Sequence, residues 1–190
     1  MNDKIKKLVL PACEEDIMAL EAGDTVLISG TIYTARDAAH IRMAESVAEG
    51  RELPFDVNGA GIYYLGPAPA KEGEVIGPAG PTSSYRMDKH TPMLLDRGLK
   101  VMIGKGRRNE DVKASIVKNR AVYFAATGGA AALLAKCITA CEVIAYEDLG
   151  TEAVRKLELK DLPATVAVDA YGRDLYETGP AEYLKAQAEC

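Results

Sequence analysis

Short apolar runs, bounded by glycine, proline and charged residues, recur along the chain. Ile5 to Leu10 is the first and stops at Pro11. Thr25 to Ser29 (TVLIS) is the second, with Gly30 after it. Ile62 to Leu65, Val101 to Ile103 and Ala121 to Ala125 follow. Runs of this length, rich in β-branched residues and flanked by turn residues, predict buried strands. Glu142 to Tyr146, Val154 to Leu159 and Thr165 to Asp169 predict three further short strands. Helical periodicity fills the gaps between them. Glu14 to Ala22 reads as one or two turns closed by Gly23. Ile41, Ala44, Val47 and Ala48 form a face ending at Gly50. Met87, Met93, Leu94 and Leu95 form another, ending near Gly98. Within Asn109 to Asn119, Val112, Ile116 and Val117 point inward. An Ala/Leu-rich helix runs from Gly129 to about Cys137, and a terminal helix covers Gly179 to Ala188. Helices mostly follow strand ends. That order predicts an α/β fold, layered, with a mixed sheet and helices against it.

The stretch from Phe55 to Gly77 breaks both periodicities. Its glycines and prolines predict an irregular surface connection around the Ile62–Leu65 strand. No repeat, heptad or low-complexity segment is present. A length of 190 residues predicts one domain over 1–190, large enough to bury roughly 70% of its unfolded surface. Net charge is −5. An acidic chain argues against a nucleic-acid surface, but a local Arg/Lys cluster can still set the potential of a cleft for a small anion. Met1 to Lys7 is followed by no apolar segment of signal-peptide length, and Ala121 to Ala135 is too short to span a bilayer. Both readings predict a cytoplasmic protein with no membrane partner. The cysteines are Cys13, Cys137, Cys141 and Cys190, without a C-x-x-C. Cys137 and Cys141 stand at helical spacing in an Ala-rich run and read as small core residues. No converging set of thiolates for a metal or cluster is offered.

Candidate chemistry gathers where strands end and helices begin. Gly80-Pro81-Thr82-Ser83-Ser84-Tyr85-Arg86-Met87-Asp88 turns the chain at Pro81. It then presents three hydroxyls, any of which can cap a helix start, and an arginine beside them. Free backbone donors, hydroxyls and a bidentate guanidinium suit a carboxylate. Thr34-Ala35-Arg36-Asp37 has the form of a capping box, with Thr34 as N-cap and Asp37 reaching back. Arg36 then falls in the first turn, where the helix dipole disfavours a cation. It is either solvent-exposed or set to meet an anion. Gly104-Lys105-Gly106 leaves a strand. It is not a phosphate-binding loop of the G-x-x-x-x-G-K-[ST] type, because the earlier glycine and the final hydroxyl are missing. Thr127-Gly128-Gly129 lacks G-x-G-x-x-G spacing and reads as close strand–helix packing. Arg36, Thr82, Ser83, Arg86 and Lys105 together offer three cations and two hydroxyls, which suits a small dianion.

Five blocks carry a resemblance. Gly80-Pro81-Thr82-Ser83-Ser84-Tyr85-Arg86-Met87-Asp88 resembles the GPTT-x-x-RMD signature of the β region of iron–sulfur hydro-lyases, the class I fumarase and L-tartrate dehydratase family. Thr34-Ala35-Arg36-Asp37-Ala38-Ala39-His40, Gly104-Lys105-Gly106 and Ala126-Thr127-Gly128-Gly129-Ala130-Ala131 resemble other blocks of that family, in the same order. So does Tyr146-Glu147-Asp148-Leu149-Gly150 with Glu152-Ala153. The match runs to about Asp169. Ser83 departs from the second Thr of the signature but keeps the hydroxyl.

The resemblance implies a swivelling β/β/α domain and a β subunit of a hydro-lyase. It implies reversible hydration of fumarate to (S)-malate, with L(+)-tartrate dehydration as the alternative. It implies a [4Fe–4S] cluster bound by a partner α subunit and not by this chain. It also implies an (αβ)2 hetero-oligomer, or a homodimer of the isolated chain. Carried onto this sequence, Thr82 is the candidate general base. Arg36 and Arg86 hold carboxylates, and Ser83 and Lys105 assist binding. His40 lies on a helix face beside the site. A non-catalytic dicarboxylate-binding module is the competing reading from another class.

Overall fold

The computed structural model describes residues 5–188. Seven strands form one sheet: β1 (Lys6–Leu10), β2 (Thr25–Thr34), β3 (Gly61–Tyr63), β4 (Val101–Gly104), β5 (Val122–Ala125), β6 (Ile138–Ala145) and β7 (Val154–Val168). The helices are α1 (Glu14–Met18), α2 (Asp37–Ala48), α3 (Thr91–Leu95), α4 (Glu110–Asn119), α5 (Ala131–Ala135) and α6 (Leu175–Ala188). Strands β1 to β5 pair in parallel. Strand β7 runs antiparallel to β2, β5 and β6. The pairings β2–β3–β4–β5–β7–β2 close a ring, and β1 and β6 add along β2 and β7.

Strands β3, β4 and β5 are buried on both faces, which is why their sequences read as continuous apolar runs instead of alternating ones. Their side chains alternate between two cores. Tyr63, Val101, Ile103, Val122 and Phe124 face Val26, Ile28, Ile32, Leu157 and Val166 of β2 and β7. Ile62, Met102 and Tyr123 face Met43 of α2, Leu94 of α3 and Ile116 of α4. The molecule is therefore sheet on sheet on helices, the α/β arrangement expected.

Several boundaries differ from the sequence expectation, each for a physical reason. Strand β2 continues through Gly30 to Thr34, because a bulge between Ile28 and Gly30 absorbs the irregularity against β7. The segments 154–159 and 165–168 are parts of one strand, which stops before Asp169. They turn together at Asp161 (φ 51) and both pair with β2. The Ala-rich helix ends at Ala135, and β-branched Ile138, Thr139 and Val143, which favour strands, go into β6 paired to β7. Cys137 and Cys141 thus share no helix face. The predicted helix from Met87 to Leu95 is split: a 3₁₀ turn covers Ser84–Met87, and α3 starts afresh at Thr91. Pro92 lacks the N–H that would continue the preceding turn but is tolerated in the first turn of a new helix, which is where it sits in α3. In α4 the Asn109 side chain accepts from Val112 N, as a cap should, but Val117 is exposed and Ser115 takes the buried place.

Candidate functional site

Parallel strands bring their C-terminal ends to one edge. Arg36 lies two residues beyond β2, Lys105 follows β4, and Thr127 lies two beyond β5. In α/β sheets this edge is where ligands bind. The segment 81–83 threads between the extended ends of β3 and β4. Pro81 bridges Leu65, and Ser83 bridges Lys105. Thr82 N donates to Tyr64 O (2.7 Å). Thr82, Ser83 and Lys105 are thereby tied together through the backbone.

No hydroxyl of 82–84 caps a helix. Ser83 is the N-cap of the 3₁₀ turn without a side-chain bond. Ser84 is buried instead, with its Oγ 2.9 Å from Tyr123 Oη and accepting from Lys105 N (3.1 Å). A Cβ on Gly104 would overlap that Oγ, so only glycine fits there. Arg86 leaves the 3₁₀ turn toward α2.

The capping box at Thr34 does not form. Thr34 is the last residue of β2, and its Oγ1 donates to Ala153 O (3.3 Å). Arg36 itself is the N-cap of α2 and makes no side-chain cap bond. The free N–H of Ala38 is taken by Glu152 Oε2 (2.8 Å), from the far side of β6 in sequence. Glu152 Oε1 also meets Arg36 Nη2 at 3.2 Å. Of the two possibilities for Arg36, it meets an anion, here one of its own chain. Its side chain lies over Gly66, where a Cβ would stand 2.6 Å from Nη1.

Asp37 links the two arginines. Its Oδ2 is 2.8 Å from Arg86 Nη2 and 3.7 Å from Arg36 Nη2. No donor is aligned on that buried oxygen in hydrogen-bond geometry, and the contact is an ion pair by distance alone. Arg36 Nε is likewise buried with no partner. Buried donors are seldom left unpaired, because each costs about 1–3 kcal/mol. The two guanidiniums therefore converge with donor capacity unspent.

Beneath this rim lies a closed network. Arg108 Nε donates to Asp88 Oδ1 (2.7 Å), Nη1 to Tyr64 Oη (3.2 Å) and Nη2 to Thr91 Oγ1 (2.8 Å). Its guanidinium packs 5.2 Å from the Tyr64 ring centroid and 5.0 Å from that of Tyr123. His40 packs edge-on to Tyr64 (5.6 Å) and holds Arg36 O through Nδ1 (2.9 Å). That carbonyl can only accept, so Nδ1 carries the proton, and Nε2 is left without a partner. Burial, with Arg108 and His90 nearby, pushes His40 down to about 4 against the Arg36 carbonyl bond, and it is neutral at pH 7.

Sequence reasoning missed Glu152, Asp88 and Arg108 as site supports and took Asp37 for a cap. Asp37 was legible only as a neighbour of Arg36. Nothing local could pair Glu152 with a helix more than a hundred residues earlier. Four clefts of about 450, 310, 580 and 390 Å³ are lined by other residues.

Among the described residues, no group of three or more His, Cys, Asp or Glu is disposed to hold a metal ion. Cys13 precedes α1, Cys137 follows α5 and Cys141 is in β6. Burial pushes the Cys137 and Cys141 thiols up, away from the thiolate a cluster needs. Cys190 lies outside the described residues. None of the described helices is long and apolar enough to cross a membrane.

Residues 2–179 match the family described as Fumarase C-terminus. Over 152 residues the chain is 38% identical to the anaerobic class I fumarate hydratase of Escherichia coli, covering 79% of this chain and 28% of that protein. Over 156 residues it is 38% identical to fumarate hydratase 2 of Leishmania major, covering 81% and 28%. A Methanocaldococcus jannaschii protein, provisionally named L(+)-tartrate dehydratase subunit beta, is 36% identical over 170 residues, covering 86% of this chain and 87% of its own length. The chain thus spans little more than a quarter of the fumarate hydratases and nearly all of a separate subunit.

Proposed function

The chain belongs to the fumarase C-terminus family, and from that membership we propose that it is the β part of an iron–sulfur hydro-lyase that reversibly hydrates fumarate to (S)-malate. The observation that carries the site is the convergence of Arg36 and Arg86 on Asp37 with a buried, unpartnered Nε–H. Two arginine forks suit the two carboxylates of a C4 diacid, and Lys105 adds a point charge. Thr82 is the candidate base for the proton α to a carboxylate. A free hydroxyl is a weak base, so this role needs a water-excluded site with cations near it. Such a site arises only when a second protein surface covers the exposed rim.

That surface belongs to an α partner carrying a [4Fe–4S] cluster. Among the described residues, no group of three or more His, Cys, Asp or Glu is disposed to hold it, which supports this division of roles. When bound, the cluster supplies a Lewis acid for the substrate oxygen. This chain's residues bind and orient the two carboxylates and move the proton at Thr82. L(+)-tartrate dehydration is the second reading, favoured by the length match to the archaeal subunit beta. Both diacids present the same pair of carboxylates to Arg36 and Arg86.

The test is anaerobic co-purification with the α subunit from the same source, then assay of fumarate hydration and tartrate dehydration. The expected result is activity of the α–β complex on one diacid and none from either chain alone. Turnover by this chain alone in air would overturn the proposal. A complex that binds diacids without turning over either would support the binding-module reading instead.

A further inference from the structure

Loops beyond strand ends are usually mobile and satisfied by water. The pair Lys105–Gly106 is different, because all four of its backbone polar groups are engaged within the chain. Lys105 N–H donates to Ser84 Oγ (3.1 Å), and Lys105 C=O accepts from Ser84 N (2.9 Å). Gly106 C=O accepts from Tyr123 Oη (2.8 Å), and Gly106 N–H donates to Tyr176 Oη (3.1 Å). The Tyr123 hydroxyl has one hydrogen and spends it on Gly106. Its 2.9 Å contact with Ser84 must then take the Ser84 proton. The relay runs from Lys105 N–H through Ser84 and Tyr123 back to Gly106 C=O.

The fourth bond comes from the start of α6, the element most distant in sequence. Tyr176 is itself held. Its N donates to Asp174 Oδ1 (2.9 Å), and its carbonyl accepts from Arg107 Nη2 (3.1 Å). Its neighbours Asp174 and Glu177 take Lys113 of α4 at 3.6 and 2.6 Å. The first turn of α6 is thus tied to both the loop and the helix that follows it.

A lysine offers a point charge on a flexible stem, with no planar fork to set its own geometry. Where that charge can act depends on where its backbone is held. We propose that Tyr176 is a positioning residue for Lys105, acting from the C-terminal helix through Gly106. This rests on the reading of Lys105 as a substrate-binding cation.

A double-mutant cycle in the α–β complex tests it. The probes are kcat/KM for the diacid turned over and the Kd of succinate, an unreactive C4 diacid. Tyr176→Phe keeps the ring and deletes one hydroxyl. It is expected to lower kcat/KM and raise the succinate Kd about three- to tenfold, the usual reach of one hydrogen bond, with the thermal midpoint lowered by no more than about 2–4 °C. In a Lys105→Ala background the same change is expected to move the succinate Kd by less than about twofold, because nothing is left to position. Equal effects in both backgrounds, or none with Lys105 present, overturn the positioning role while leaving the substrate site standing. A Lys105→Ala complex with normal Kd and kcat/KM overturns the substrate role of Lys105, and this proposal with it.

Discussion

Two arginine–carboxylate groupings draw on the short segment 84–88, and they differ in completeness. Arg108 is fully enclosed, with its side chain 0% exposed. Its donors meet Asp88, Tyr64 and Thr91, and the second Asp88 oxygen takes Asn109 N (2.8 Å). Arg36 and Arg86 lie at the rim, the latter 41% exposed, and share one carboxylate that no donor addresses in line. A closed network has nothing left to give a ligand, whereas an open one has both donors and access. The Arg86-Met87-Asp88 run feeds both: Arg86 enters the open grouping and Asp88 the closed one, while Met87 is buried in the helix-side core. One tripeptide thus mixes a rim arginine with two residues of the packed interior.

The largest effect that sharpens this contrast is on chemistry at the open grouping. Thr82→Ala in the assembled complex is expected to lower kcat by a factor on the order of 10²–10⁴, with KM little changed, because the arginine charges remain. Steady-state kinetics after checking cluster content reads it. A loss of only about tenfold would make Thr82 a positioning hydroxyl.

The next effect separates the two arginines by kind. Arg108→Ala strips a buried carboxylate of its partner and is expected to destabilise the chain by about 3–5 kcal/mol. Arg86→Ala breaks a half-exposed pair and is expected to cost within about 1 kcal/mol of stability, while raising KM for the diacid. Urea unfolding of both variants beside the parent decides it. Similar losses from both would erase the distinction between closed and open groupings.

The smallest effect concerns His40, which sits between them. Its folded pKa of about 4 is below the ordinary 6.5, so the unfolded chain binds more protons in that interval. Stability is full above pH 6.5 and is expected to fall toward pH 4 by on the order of 3 kcal/mol from this group. His90, also pushed down by burial and by Lys89, adds in the same direction. His40→Leu is expected to flatten the slope. The Arg36 carbonyl stays satisfied by the backbone N–H of residue 40 (2.9 Å). An unchanged slope in urea titrations across pH would place the acid sensitivity elsewhere.

The sequence by itself determined the layers and the edge that carries the candidate site. Runs such as Val101–Ile103 and Ala121–Ala125 can be buried on two faces only inside a layered α/β sheet. Pro11 and Gly104 marked the ends of β1 and β4, but β2 runs through Gly30 to Thr34, so Arg36 stands beside a stop that the sequence did not mark. Tertiary structure decided the partners. Strand β6 begins at Ile138, four residues before the predicted Glu142, where pairing to β7 extends it. Thr34 lost its predicted cap to β2 pairing, and Glu152 supplied the cap bond at Ala38 from across the fold. Asp88 and Arg108, twenty residues apart, carry no local sign of pairing, and only burial against Tyr64 and Tyr123 made them one pair. Charges and periodicity are local properties that a chain carries with it. Which charge meets which is set only when the sheet closes and brings distant strand ends to one edge.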